Sequence, residues 1–142
     1  MAERVAGGCL CGAVRFDAEL PSRFCAHCHC DNCRRAHGAA FVTWVGVKED
    51  QLTFESGVDS LVCYTTATEA FRTFCRDCGT TMFYAGPRWA GEVHIARGCI
   101  DDDADLPVTA HAYVDHRAPW VEILDDLPQY GGQSGSEPKA ST

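Results

Sequence analysis

The 142-residue sequence lacks a long apolar run, clustered positive charge and any sustained helical periodicity. Each absence removes a class of function. From Met1 to Phe16 the chain is broken by Glu3, Arg4, the Gly7-Gly8 pair and Arg15, so neither a secretory leader nor a membrane span is expected there. No membrane partner is expected, and the protein reads as soluble and cytoplasmic. Lysine and arginine total 12 against 20 aspartate and glutamate, a formal net charge of -8, and Arg34-Arg35 is the one adjacent basic pair. A groove for a phosphate backbone needs clustered Lys and Arg, so nucleic acid is not expected as a partner either. No segment keeps a 3.6-residue period over three turns, which argues against a helical bundle.

What remains is a series of short β-type runs separated by turn signals. They fall at Ala13 to Phe16, Phe41 to Val47, Gln51 to Glu55, Leu61 to Thr66, Ala70 to Phe74, Thr81 to Tyr84, Glu92 to Ala96 and Ala110 to Val114. Gly86-Pro87, Asp101 to Asp103 and Leu106-Pro107 punctuate them. An all-β domain follows, with one brief helix in which Asp31 caps a turn through Cys33 to His37 and Gly38 ends it. The length fits one domain over residues 1–130. Residues 131–142, rich in Gly, Ser, Gln, Glu, Pro and Lys, read as a disordered tail.

Against these absences stands an excess of cysteine. Seven of ten fall in ligand-like spacings: Cys9-x-Cys11, Cys28-x-Cys30-x2-Cys33 and Cys75-x2-Cys78. Cys-x-Cys places two sulfurs too close along the chain to bridge each other easily, yet suitably for one tetrahedral ion. Seven divides into four and three. Structural zinc takes a closed set of four protein ligands, whereas catalytic zinc takes three and keeps one position open. Cys75-Arg76-Asp77-Cys78-Gly79-Thr80 reads as a zinc knuckle, and Cys9 with Cys11 is its natural complement, brought across by an N-terminal hairpin pairing with the strand before Cys75. The central cluster has two readings. Cys28, Cys30 and Cys33 can wrap one face of an ion and leave the other open. Alternatively, Cys25, His27 or His29 closes the set, which makes the protein a zinc-stabilised protein-binding module without catalysis.

The motif blocks Gly8-Cys-x-Cys-Gly12, Cys28-His-Cys-x2-Cys-Arg-Arg35, Arg72-x-Phe-Cys-x2-Cys-Gly-Thr80, Ala118-Pro-Trp120 and Asp126-Leu-Pro128 carry a resemblance. In this order they resemble the glutathione-dependent formaldehyde-activating enzyme family, which includes centromere protein V, over about Val5 to Tyr130. The resemblance implies a β-tent fold of mainly antiparallel strands with two zinc ions per chain. It assigns Cys9, Cys11, Cys75 and Cys78 to structural zinc and Cys28, Cys30 and Cys33 to catalytic zinc. Cys63 and Cys99 match no ligand position and read as buried thiols in strands.

Three thiolates leave a zinc centre at a formal charge of about -1, which weakens it for activating water and suits it to holding a further sulfur. The expected substrates are therefore a glutathione-like thiol and an aldehyde such as formaldehyde, handled by a carbon-sulfur lyase or synthase. Arg34, Arg35 and Arg72 are candidates to grip the thiol's carboxylates. His29 is a candidate to hydrogen-bond or shuttle a proton beside the metal. Trp120 reads as a core plug, while spacing alone does not place His111 and His116. A sulfur-oxide reductase is a third reading, which needs a nucleophilic thiol from Cys25, Cys63 or Cys99.

Overall fold

The computed structural model describes residues 3–101 and 104–139. The chain, whose length suggests one domain, divides into two compact units: residues 1–24 with 45–105, and residues 25–44 with 106–142. Among the described residues secondary structure is mostly strand, with one α-helix and several single 3-10 turns. No helix among them is long and apolar enough to cross a membrane.

In the first unit, β1 (Arg4–Gly8), β2 (Arg15–Glu19) and β5 (Leu52–Ser56) form an antiparallel sheet in the order β1-β2-β5. A second antiparallel ladder runs β9-β8-β7-β6, from β6 (Leu61–Thr65), β7 (Phe71–Cys75), β8 (Thr81–Ala85) and β9 (Glu92–Ala96). Alternation along β2 turns Phe16 and Ala18 inward. Phe16, Met82, Ile95, Val14, Val45 and Val47 are all below 2% exposed, so this unit has a conventional apolar core. The Phe83 ring meets Phe16 and Phe54 edge-on, at centroid distances of 5.3 and 5.5 Å. β1 escapes the sequence reading because Gly7-Gly8 looks like a breaker. Its real reason is close packing: a Cβ at Gly7 would lie 2.3 Å from the Cys99 carbonyl oxygen.

The second unit holds β3 (Phe24–Cys28, from Cys25 onward), helix α1 (Asp31–His37), the start of β4 (Val42–Lys48), β10 (Ala110–Ala112), β11 (Gln129–Gly131) and β12 (Glu137–Lys139). Here the pairing is not purely antiparallel: β10 runs parallel to both β3 and β11. The tail read as disordered is instead a hairpin as far as Lys139, with β12 antiparallel to β11; residues 140–142 lie outside the described chain. Asp115 explains the difference. Its carboxylate accepts the Gly132 amide at 2.7 Å and meets Lys139 Nζ at 3.4 Å, and it lies where a side chain at Gly131 would have to go. Composition marks these glycines as flexible, whereas contacts make them a turn.

Three further expectations change. Trp120 is 71% exposed, and the plug is its neighbour Ala118, fully buried at the start of a turn closed by the Val121 amide on the Ala118 carbonyl. Cys63 is exposed because β6 ends the first unit's ladder and turns most of its residues to solvent. Cys99 is half-buried in a 3-10 turn rather than a strand, and burial pushes its thiol up to about 11.

Candidate metal centres and a buried histidine pair

Both cysteine sets assemble as their spacing suggests. The sulfurs of Cys9, Cys11, Cys75 and Cys78 lie within 4.8 Å of one another in the first unit, and those of Cys28, Cys30 and Cys33 do so in the second. A tetrahedron with metal–sulfur bonds of about 2.3 Å has edges of about 3.8 Å. The separations Cys9–Cys11, 3.6 Å, and Cys11–Cys75, 3.9 Å, match that edge and are far too long for a disulfide. The four-sulfur set therefore fits a tetrahedral ion such as zinc.

Two loops build the four-sulfur set. After β1, the Cys9 amide donates to the Val14 carbonyl at 3.1 Å, the Gly12 amide returns to the Cys9 carbonyl, and the Val14 amide donates to Cys9 Sγ at 3.3 Å. Gly12, at φ +82, supplies the left-handed turn. After β7 the pattern recurs: the Cys75 amide donates to the Thr80 carbonyl, the Gly79 amide to the Cys75 carbonyl, and Gly79 sits at φ +78. The N-terminal hairpin does not pair with the strand before Cys75; β1 pairs with β2, and β7 with β6 and β8. The Thr80 hydroxyl joins the loops instead, accepting the Leu10 amide at 3.0 Å and lying 3.2 Å from Cys78 Sγ. The same hydroxyl and its backbone amide bring the Cys78 thiol down to about 5. Cys11 goes the other way, to about 12: the Ala13 amide lowers it, but burial and the three neighbouring sulfurs outweigh that bond. Four sulfurs this close cannot all be anionic without a cation among them.

The three-sulfur set is carried by the end of β3 and the start of α1. Cys30, not Asp31, is the N-cap, its sulfur accepting the Cys33 amide at 3.3 Å, while Gly38 ends the helix in the left-handed conformation at φ 60. Asp31 instead occupies the first turn and pairs with Arg34 at 2.6 Å. Trp44, 4% exposed, donates its indole N–H to Cys33 Sγ at 3.4 Å. Cys28 is pushed well above the ordinary thiol range by hydrogen bonding to the Cys30 and Cys33 sulfurs and by burial. Cys30 is also raised: its bond to Cys28 acts to lower it, but Cys33 and burial prevail. The soft donor set suits zinc.

Cys25 stands apart from this set. It stands three positions before Cys28 on one strand, an odd interval that sends their side chains to opposite faces. Cys25 is buried, with its sulfur directed at the Leu106 carbonyl at 3.8 Å. His27 is also outside the set, its Nδ1 bonded to the Thr43 hydroxyl at 2.7 Å.

His29, between two of the sulfurs in sequence, is the largest fully buried side chain of the second unit. Its Nε2 lies 2.9 Å from His111 Nδ1, and His111 Nε2 lies 3.0 Å from Asp125 Oδ2 and 3.1 Å from Oδ1. Parallel pairing of β10 with β3 sets His111 opposite His27 and Ala112 opposite Cys28, which delivers His111 to this position. Burial, then the positive fields of His111 and His27, bring His29 down to about 4. The hydrogen bond from His111 holds the Asp125 carboxyl below its ordinary range. Asp125 carries no sequence signal of its own.

The arginine candidates separate. Arg34 and Arg35 sit on α1 directly after Cys33, Arg34 bonded to Asp31 and Arg35 exposed. Arg72 belongs to the first unit, on β7, 9% exposed with its guanidinium 4.9 Å above the Tyr84 ring. His116 is half-exposed, with Nδ1 3.5 Å from Asp31. An open cleft of about 510 Å³ in the first unit, lined by Glu49, Glu69, Phe71, Trp89 and Glu92 among others, contains none of the cysteines.

Comparison with known proteins agrees with this geometry. Residues 4–116 match the family model described as glutathione-dependent formaldehyde-activating enzyme. A Halomonas elongata protein, provisionally named a glutathione-dependent formaldehyde-activating enzyme, is 30% identical over 125 residues, 82% of this chain and 79% of that protein. A Schizosaccharomyces pombe protein named an uncharacterized lyase is 29% identical over 79 residues, 56% of each chain. A crystal structure of a Rhodobacter sphaeroides protein superposes with a TM-score of 0.60 at 27% identity, covering 73% of this chain and 99% of that one. The extent of the family match, together with two assembled cysteine sets on a β scaffold, means that the chain belongs to the glutathione-dependent formaldehyde-activating enzyme family.

Proposed function

We propose that the protein is a carbon-sulfur lyase or synthase acting on adducts of a small, glutathione-like thiol with an aldehyde such as formaldehyde, with zinc at both cysteine sets. The observation that carries this reading is the three-sulfur set from which Cys25 is turned away. A closed set would serve stability alone, whereas three protein ligands suit chemistry. Cys28, Cys30 and Cys33 would hold the ion, and zinc there would favour the thiolate form of a substrate thiol.

In the synthase direction the thiol sulfur bonds to the carbonyl carbon, the π pair moves to oxygen, and oxygen takes up the proton that the thiol lost. The lyase direction reverses these steps, and neither needs an oxidant. Cys28, Cys30 and Cys33 are the ligands, while the Trp44 indole N–H and the Cys33 amide temper the charge on two of the sulfurs. Arg34 and Arg35, on the helix that carries Cys33, are the candidates to bind the carboxylates of a glutathione-like thiol. Arg72 is left out of this assignment, because its buried guanidinium already packs on Tyr84. Cys9, Cys11, Cys75 and Cys78 hold structural zinc. A cytoplasmic location, where thiols stay reduced, suits the ten cysteine thiols.

Native mass spectrometry of the zinc-loaded protein with and without glutathione tests the reading, followed by NMR measurement of glutathione-formaldehyde exchange. Two zinc ions per chain, a glutathione-sized mass gain and accelerated exchange are expected, the last two lost in Cys30→Ser. Two zinc ions with neither thiol uptake nor exchange would overturn it.

A further inference from the structure

We infer that the β6 edge, together with the acidic cleft beside it, is a docking site for an extended peptide segment in which a basic residue is flanked by apolar ones. β6 ends the ladder β9-β8-β7-β6, so β7 hydrogen-bonds it from one side only. The Thr66 amide donates to the Ala70 carbonyl at 2.8 Å and the Arg76 amide to the Ser60 carbonyl at 2.7 Å, so the even-numbered residues of β6 make the bonds to β7. Leu61, Cys63 and Thr65 turn their backbone groups outward. The Leu61 amide bonds back to the Val58 carbonyl, whereas the amides of Cys63 and Thr65 and all three carbonyls have no partner among the described residues. Edge strands are ordinarily protected by lysine, proline or a bulge, yet Leu-Val-Cys-Tyr-Thr has no charge and no proline, and pairs with β7 without a register shift. Such a row of donors and acceptors is a template for an added strand.

The cleft supplies the specificity. Thr65, Phe71 and Ala85 are register partners across β6, β7 and β8, and all three line the cleft of about 510 Å³. A residue added opposite Thr65 continues that row, so its side chain projects on the same face, beside the cleft. The lining there is anionic and aromatic, with Glu49, Glu69 and Glu92 around Phe71 and Trp89 and no lysine, arginine or histidine. Glu92 already pairs with Arg23 at 3.1 Å, and Arg88 packs on the Trp89 ring at 5.0 Å, but Glu49 and Glu69 have no ion pair among the described residues. A lysine or arginine side chain satisfies both features: its methylene stem lies on the exposed Phe71 ring and its charge meets the carboxylates. On the opposite face the added strand meets Val62 and Tyr64, both exposed, where β-branched or aromatic residues fit. A second copy of β6 is a poorer occupant. Antiparallel pairing over the full strand sets Leu61 opposite Thr65 and brings no cation to the cleft.

Fluorescence anisotropy of the zinc-loaded, full-length protein with a labelled peptide of alternating valine and lysine tests the inference. Two comparison peptides carry glutamate in place of lysine, or N-methyl groups on the lysine amides that the pairing directs at β6. The lysine peptide is expected to bind about tenfold more tightly than either. Amide hydrogen exchange read by NMR reports the geometry: the peptide is expected to slow exchange at Cys63 and Thr65 about tenfold and to leave Val62 and Tyr64, already bonded to β7, unchanged. Glu69→Gly separates recognition from folding. Glu69 sits at φ +65 in the β6–β7 turn, a conformation that glycine adopts readily, so the variant is expected to keep its stability while losing about tenfold in affinity for the lysine peptide. No binding of the lysine peptide, equal affinity for the glutamate peptide, unaltered binding by Glu69→Gly, or protection that does not alternate along β6 would each overturn the inference. Protection of the Cys63 and Thr65 amides that rises with protein concentration in the absence of peptide would give the edge to a second copy, and would overturn it as well.

Discussion

Replacing Trp44 by Phe isolates one hydrogen bond at the three-sulfur set. The indole N–H lies 3.4 Å from Cys33 Sγ, and Phe keeps an aromatic ring where Trp44 meets His37 edge-on at 5.3 Å. A hydrogen bond to a charged acceptor contributes about 1.5–3 kcal/mol. At about 1.4 kcal/mol per decade this becomes roughly 10- to 150-fold in zinc affinity, the scale expected for an outer partner of a metal ligand. Competition against a chromogenic chelator reads the two sites as separate steps. The prediction is a loss confined to one step, because the indole N–H bonds to Cys33 and the four-sulfur set belongs to the other unit. Equal weakening of both steps would mean that general loosening, not the N–H···S bond, produced the effect. No weakening of either would show that Cys33 does not depend on the indole.

Cys25→Ser should keep two zinc ions per chain in native mass spectrometry and cost no more than about 1–2 kcal/mol of stability, since its sulfur meets the Leu106 carbonyl rather than the metal set; loss of one ion would restore the closed-site reading. The carboxyl of Asp115 is held below its ordinary range, first by the Gly132 amide and then by Lys139. A depressed carboxyl stabilises the fold above its unfolded pKa, and that contribution disappears as pH falls through the folded value, so protection of the Gly132 amide against hydrogen exchange should persist at neutral pH and be lost only in acid below the ordinary carboxyl range. Asp115→Ala should remove the protection at every pH, and unchanged protection at neutral pH would refute the anchor. Gly57→Ala should destabilise the zinc-saturated protein by on the order of 2–4 kcal/mol in denaturant unfolding. Gly57 has φ +84, and an added Cβ would lie 2.1 Å from the Ala13 carbonyl oxygen; a change below about 0.5 kcal/mol would show that the backbone relaxes there.

Local signals carried the sequence reading as far as neighbours along the chain can carry it. Cysteine spacing marked out the thiols of both clusters that could hold a metal, because two thiols one or two residues apart are held close whatever the rest of the fold does. Apolar alternation and turn residues placed β4 to β10 close to their observed bounds, and Gly38 marked the end of α1. β3 was missed because its Phe-Cys-Ala-His-Cys run shows no simple apolar alternation and its thiols and imidazoles read first as ligands. The Cys30 cap was missed because a sulfur held as a ligand candidate also serves as a helix acceptor.

Only the tertiary structure decided what Cys25, Trp44, His111 and Asp125 do. Strand parity turns Cys25 from the metal set, and the indole of Trp44 reaches Cys33 from another element. His111 stands 82 residues from His29, and Asp125 another 14 beyond, so no local pattern links them. A parallel strand pairing brings the two buried histidines together. Ligand spacing is a local property of the chain; a buried hydrogen-bond chain depends on every group packed against it.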